Sequence, residues 1–410
     1  MIIKPMIRSN ICLNAHPAGC KQSVLDQIEI TKKVRAEYDK KNASKGKNLR
    51  PIKNVLVLGC SNGYGLASRI TAAFGYDAAT IGVSYEKAGT ETKGGTPGWY
   101  NNLAFDAEAK KAGLVSVTID GDAFSDPIKQ DVIQAAKENN MVFDLVIYSL
   151  ASPVRTDPET GVMYKSVLKP FGTKYTGTTI DAMTGEMKEI SAEPANEDEA
   201  MQTVKVMGGE DWERWIDQLS EANLLAENCL TLAYSYVGPE VSQAIYRRGT
   251  IGKAKEHLEK TAKVLTEKMA NIKGEAYVSV NKGLVTRASA VIPIIPLYLS
   301  VLFKVMKEQG SHEGCIEQIN RLFWERLYLP TDGSEFAKIP VDEENRIRID
   351  DWEMDPQVQA EVDRIMPLVT QENVGELADL EGYRHDFLAT SGFDIAGVDY
   401  EADTERFDRI

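Results

Sequence analysis

The stretch VLVLGCSNGYG, residues 55–65, decides the fold of this 410-residue chain. Its first four residues, Val55 to Leu58, are all apolar, the texture of a short strand buried on both faces of a parallel sheet. Gly59, Cys60, Ser61, Asn62, Gly63, Tyr64 and Gly65 follow at once, and the pattern over residues 66–74 predicts a helix. The glycines have a steric reason. A Cβ would block the tight strand-to-helix turn, or hold the backbone away from a pyrophosphate seated at the positive helix N-terminus. In this strand–turn–helix setting the motif points to a dinucleotide site.

Outward from that turn, strands are expected at residues 80–84, 114–119, 143–148 and 276–280, with a polar helix at 127–139. Strands alternating with helices imply parallel βαβ units, hence an α/β, Rossmann-type doubly wound sheet with helices on both faces. Ligands of such sheets bind beyond the carboxyl ends of the strands. That topology assigns Tyr85 and Glu86, Asp122 and Ala123, and Leu150 and Ala151 to the dinucleotide. Glu86 lies 21 residues past Gly65. An acid there hydrogen-bonds the adenosine ribose hydroxyls and repels a 2′-phosphate, which favours NADH over NADPH. Residues 156–194, with Gly161, Gly172, Gly177 and Gly185, read as an insertion of small hairpins within a single domain. Helical patterns return at 197–219 and 253–269, and the tail from residue 339 is acidic and mostly helical.

The formal net charge of −14 excludes a general affinity for nucleic acid or anionic membrane surfaces. The five cysteines (Cys12, Cys20, Cys60, Cys229, Cys315) are scattered and form no CxxC pair. Neither a disulfide framework nor a zinc site is expected. The four histidines are far apart, so no metal is expected. Residues 1–10 lack the apolar core of a signal peptide, and a cytoplasmic location is expected. Residues 288–303 carry no charge and include Pro293 and Pro296. They fall short of the roughly 20 residues a membrane-spanning helix needs. They read as a buried helix, and also as a wall for a greasy substrate.

The glycine spacing GxxxGxG is typical of short-chain dehydrogenases, which pair Tyr and Lys four apart on one helix. None of the sixteen tyrosines here has Lys at that spacing. A spacing of nine gives Tyr38/Lys47, Tyr246/Lys255 and Tyr298/Lys307. The first precedes the initial strand and the third follows the apolar stretch. Tyr246 and Lys255 follow the fourth strand and enclose Gly249 and Gly252. On an unbroken helix the pair would face opposite ways, at about 100° per residue. The glycines can break the helix and bring Tyr246 back beside Lys255. The ammonium is then expected to lower the phenol pKa and help it act as an acid.

Several separated segments carry a resemblance: GCSNGYG, GWYNN at 98–102, YSLASP at 148–153, VMGGEDW at 206–212, YSYVG at 234–238 and Tyr246-x8-Lys255. With them the chain resembles, over essentially its whole length, the bacterial trans-2-enoyl-CoA reductases. That family is related to the short-chain dehydrogenases and includes a group of enoyl-acyl-carrier-protein reductases. The resemblance implies one Rossmann-type domain over residues 1–410, with extra hairpin and helical elements over the substrate site, working as a monomer. It implies NADH-dependent reduction of the trans-2 double bond of an enoyl-CoA, or of an acyl-carrier-protein thioester as the alternative. It makes Tyr246 the proton donor, Lys255 its partner and a cofactor ligand, and Tyr236 a substrate contact at the thioester. It also adds Leu284, Val285 and Thr286 as cofactor contacts near the carboxamide. An alcohol or ketone dehydrogenase is disfavoured by the missing Tyr-x3-Lys. An NAD-sensing scaffold is disfavoured by the presence of the Tyr246/Lys255 pair.

Overall fold

The computed structural model describes residues 2–8, 11–42, 49–90, 93–181, 183–289, 292 and 295–403. Lys47 and Pro293, both singled out above, lie outside the described residues. The centre of the fold is a seven-stranded, all-parallel sheet. Its strands are β1 (Asn54–Leu58), β2 (Ala79–Ser84), β3 (Ser116–Asp120), β4 (Phe143–Tyr148), β5 (Leu225–Ser235), β6 (Glu275–Val280) and β7 (Arg346–Arg348). The spatial order is 7-6-5-4-1-2-3. The chain therefore reverses direction across the sheet between β1 and β4, the crevice where doubly wound folds hold their ligands.

Each β1 side chain has a defined face. Val55 and Val57 enter one apolar layer and Leu56 and Leu58 the other, all fully buried. The first layer is covered by α1 (Pro17–Asn42), α2 (Gly63–Ile70) and α3 (Pro97–Lys111). The second is covered by α4 (Asp126–Glu138), α5 (Glu210–Glu221) and α6 (Thr250–Lys268). This is the expected α/β architecture with helices on both faces.

A third apolar cluster surrounds α7 (Ile295–Glu308), which is packed by the tail helices α8 (Pro356–Ile365) and α9 (Leu380–Ala389). Pro296 is tolerated because it lies in the first turn of α7, where a missing N–H costs nothing. Among the described residues no helix is long and apolar enough to cross a membrane. Two antiparallel hairpins occupy the insertion: Val154–Thr156 with Met163–Lys165, and Tyr175–Ile180 with Met187–Ala192.

Three features depart from the sequence reading. The longest strand, β5, was not expected. Its apolar run is interrupted by Glu227 and Asn228, and Asn228 takes φ +63° where the pairing shifts register. A bulge of this kind breaks the period that betrays a strand. The helical pattern at 197–219 is two helices, Glu197–Met207 and α5, separated at Gly208 and Gly209. The acidic tail contributes an edge strand, β7, whose Ile347 is fully buried.

Candidate active site

The residues expected to hold the dinucleotide gather at the carboxyl ends of β1 to β4. Gly59 has φ +86°, a left-handed conformation that suits glycine. A Cβ on Gly65 would lie 1.9 Å from the Gly59 carbonyl oxygen, so α2 can start this close to the turn only without a side chain there. Cys60 faces the core beside Asn102 (Sγ to Oδ1 3.7 Å), and burial pushes its thiol up to about 11. Tyr64 spends its hydroxyl proton on the Lys282 carbonyl (2.6 Å). Ser61 is buried, Asn62 is half-buried at the N-cap, and Gly63 opens α2.

Glu86 is held by that turn. Its Oε1 accepts from the Ser61 hydroxyl (2.7 Å) and the Asn62 amide (3.2 Å). Asn101 in turn donates to the Ser61 carbonyl (2.9 Å) and the Asn62 side-chain oxygen (3.1 Å), and Asn102 donates to Ser84 Oγ (2.9 Å). The GWYNN segment on α3 thus works as a scaffold beneath the turn. Tyr85 beside it is largely exposed. Because Glu86 is fixed in place, Glu86→Ala is expected to raise kcat/KM for NADPH relative to NADH. Steady-state assays with both cofactors check this, and an unchanged ratio would refute it.

Asp122 caps its own loop, accepting from the Phe124 amide (3.0 Å). Ala123 is buried, and its carbonyl accepts from Lys129 (2.9 Å) and the Trp215 indole (3.1 Å). Leu150 packs beside Gly59, and Ala151 is exposed. Leu284 and Val285 are buried in the α7 cluster, and the Thr286 methyl lies 3.5 Å from where a Gly63 side chain would begin. The 284–286 loop therefore lies against the dinucleotide turn. At the carboxyl ends of β5 and β6, Ser235 Oγ and Asn281 Nδ2 are buried without a protein partner. A left-handed glycine turn, a fixed acid and unpaired polar atoms at the strand ends suit a nicotinamide dinucleotide.

Tyr246 and Lys255 lie on either side of the start of α6. The Tyr246 carbonyl accepts the Gly249 (3.1 Å) and Gly252 (3.0 Å) amides, so Tyr246 forms the turn on which the helix is built. A Cβ on Gly252 would fall 1.7 Å from the Arg247 carbonyl oxygen; glycine lets that turn close. The insertion clamps the same spot. The Thr250 amide donates to the Lys169 carbonyl (3.0 Å), and the Thr250 hydroxyl bonds the Val167 carbonyl. Lys255 is buried and donates to the Tyr234 carbonyl (3.1 Å). Burial pulls it down to about 8, with Glu259 opposing and Arg247 adding to the fall.

One expectation is reversed. Burial pushes the Tyr246 phenol up to about 12, and only Arg247 works against it. Lys255, itself desolvated, does not lower it. The phenol is thereby kept protonated, which suits a hydrogen-bond donor.

Tyr236 packs edge-on against Tyr246, with ring centroids 5.4 Å apart. Its hydroxyl donates to Glu353 Oε1 (3.1 Å). A phenol has one proton, and in Tyr236 that proton is spent. No protein group among the described residues bonds the Tyr246 hydroxyl. Sequence reasoning missed Glu353 entirely, since no spacing connects it to Tyr236.

Three family models match the chain: "NAD(P)H binding domain of trans-2-enoyl-CoA reductase" over residues 2–91, "Trans-2-enoyl-CoA reductase catalytic region" over 93–328, and "Enoyl reductase FAD binding domain" over 341–404. The last segment does not suit a flavin dinucleotide. Residues 341–404 hold 18 acidic residues against four arginines. Arg346, Arg348 and Arg364 are already ion-paired with Asp342, Asp350 and Glu361, leaving little to meet a pyrophosphate. The chain is 69% identical, over all of both chains, to the trans-2-enoyl-CoA reductase [NADH] of Treponema denticola. The crystal structure of that enzyme with NAD superposes with a TM-score of 0.94. The Clostridium trans-2-enoyl-CoA reductase solved with NADH is 44% identical, covers 99% of this chain and 98% of its own, and gives 0.91. An enoyl-[acyl-carrier-protein] reductase [NADH] of Flavobacterium johnsoniae is 56% identical over 98% of each chain. The chain belongs to the trans-2-enoyl-CoA reductase family.

Proposed function

We propose that this protein reduces the trans-2 double bond of enoyl-CoA thioesters with NADH, as a single Rossmann-type unit spanning residues 1–410, monomeric and cytoplasmic. One observation carries the reading. At the end of the sheet where the dinucleotide turn opens, packed on Tyr236 and just before the helix that carries Lys255, stands a buried phenol, Tyr246, whose proton is uncommitted. The scattered cysteines support the location, and the full-length similarity to an NADH-named reductase supports the cofactor and substrate class.

Bound NADH supplies the hydride, which adds to the β-carbon of the enoyl thioester. Negative charge then develops on the thioester oxygen. Tyr246 donates its hydrogen bond to that oxygen, where a preorganised donor stabilises the transition state most. Lys255 holds positive charge near the same point and contributes to cofactor binding. Tyr236 offers the substrate its ring and its oxygen lone pairs, because its proton is on Glu353. Protonation at the α-carbon completes the saturated thioester. Glu86 and the turn at residues 59–65 orient the dinucleotide, and the apolar residues of α7 cover the acyl chain.

The test is NADH consumption with crotonyl-CoA, with longer enoyl-CoAs, and with the same acyl groups on acyl-carrier protein. Turnover of the CoA thioesters is expected. A much higher kcat/KM on acyl-carrier protein would favour the second reading, which the similarity to the Flavobacterium enzyme supports. NADH binding without turnover of any enoyl thioester would reject both.

A further inference from the structure

Glu353 is a fully buried acid through which the tail reaches the candidate active site. It is 0% exposed and accepts three hydrogen bonds from three parts of the chain. Its Oε1 accepts from Tyr236, just beyond β5 (3.1 Å), and from Tyr298 on α7 (2.7 Å). Its Oε2 accepts from the Gly283 amide (2.6 Å), at the head of the 284–286 loop. Gln359 on α8 braces the arrangement, donating to the Glu353 carbonyl (2.7 Å) and to the Tyr298 hydroxyl (3.3 Å). All three groups aimed at the carboxylate are donors, which suits an acceptor-only anion. Burial pushes the Glu353 carboxyl up, and the Tyr298 and Gly283 donors, with the positive charge of buried Lys282, work against that rise.

We infer that Glu353 is a positioning residue for the reduction. It fixes the Tyr236 ring against Tyr246, the cofactor loop against the dinucleotide turn, and the acyl-covering helix α7 against both. The carboxylate also sets the direction of the Tyr236 proton, which leaves Tyr246, of these two facing phenols, as the one with a proton to give. A carboxylate touching three elements at once sets their mutual distances to within a hydrogen bond. Misplacement by about 1 Å at such a point can cost about 10² in rate. This role rests on the reading of the site as an enoyl-thioester reductase.

The substitution Glu353→Gln keeps the volume but puts an amide N–H₂ among three donors. Either the Gly283 amide loses its acceptor, or the amide turns and frees the Tyr236 proton. Wild type, Glu353→Gln, Tyr236→Phe and the double variant are compared for kcat with crotonyl-CoA, KM for NADH, and thermal midpoint. The expected result is a fall in kcat of about 10–100-fold in Glu353→Gln, with KM for NADH changed by less than about threefold and a folded protein. The double variant should be no slower than the slower single, because both remove the same link. A kcat unchanged in Glu353→Gln, or a double variant whose loss is the product of the two singles, overturns the inference. Should Glu353→Gln not fold, Tyr298→Phe decides. It removes one of the two phenols on Oε1 while conserving volume, and a wild-type kcat there overturns the inference. Wild type that reduces no enoyl thioester would overturn the functional reading and this inference together. An active wild type with an equally active Glu353→Gln overturns the inference alone.

Discussion

Tyr246→Phe is expected to lower kcat for crotonyl-CoA by about 10²–10³ while leaving NADH binding intact, the loss typical of removing one donor to a developing oxyanion. Tyr246 is buried, and its hydroxyl bonds no protein group among the described residues, so removing that hydroxyl breaks no contact that holds the fold. Phe conserves nearly all of the volume. A purely packing role for Tyr246 therefore predicts near-normal activity, and the two roles separate in one assay. Lys255→Met should be at least as damaging. It removes a buried charge and the cofactor contact proposed for it, and leaves the Tyr234 carbonyl without its donor. NADH binding, followed by fluorescence, is measured alongside. Near wild-type turnover by Tyr246→Phe would reject it as the donor. The search would then fall on Tyr236, whose proton would first have to leave Glu353.

The parts of this site legible in the sequence are those set by short-range rules. Four apolar residues followed by glycines mark β1 and its turn, because a strand buried on both faces has no polar position to hide. Once the strands are placed, topology nominates the rest of the proposed dinucleotide face, including Glu86, without any contact being visible. The illegible parts depend on long-range geometry. β5 escaped because Asn228 bulges it. Glu353 escaped because nothing in the sequence separates the buried acids from the solvated ones among the 18 of residues 341–404. Nothing in the spacing joins residues 236, 283, 298 and 353. The direction of the Tyr246 pKa was misjudged for the same reason. A partnership with Lys255 can be proposed from a motif, but the depth of burial that raises the phenol cannot be read there.

Depth of burial also sets the second large effect, at a pair the chemistry does not use. Lys129 Nζ is fully buried and spends its three protons on Asp211 Oδ1 (2.8 Å), the Ala123 carbonyl (2.9 Å) and the Phe124 carbonyl (3.0 Å). It also stands over the Trp215 ring, 4.8 Å from its centroid. Asp211 lies in the first turn of α5, where the helix dipole favours its charge, and accepts from Tyr148 (3.2 Å). Burial pulls Lys129 down and pushes Asp211 up, and their mutual attraction opposes both shifts. Removing one partner strands the other's charge. Lys129→Met should therefore destabilise the fold by about 3–5 kcal/mol, read as a lower urea midpoint. Adding Asp211→Asn removes the stranded charge and should recover most of that loss, since a buried ion pair is often worth no more than neutral packing. NADH affinity should follow a different course. Both variants leave the Ala123 and Phe124 carbonyls without the Lys129 donor, so both should bind NADH more weakly if that loop walls the adenine. A double variant as unstable as the single would sink the electrostatic account. Wild-type NADH affinity in both would remove Asp122 and Ala123 from the cofactor site.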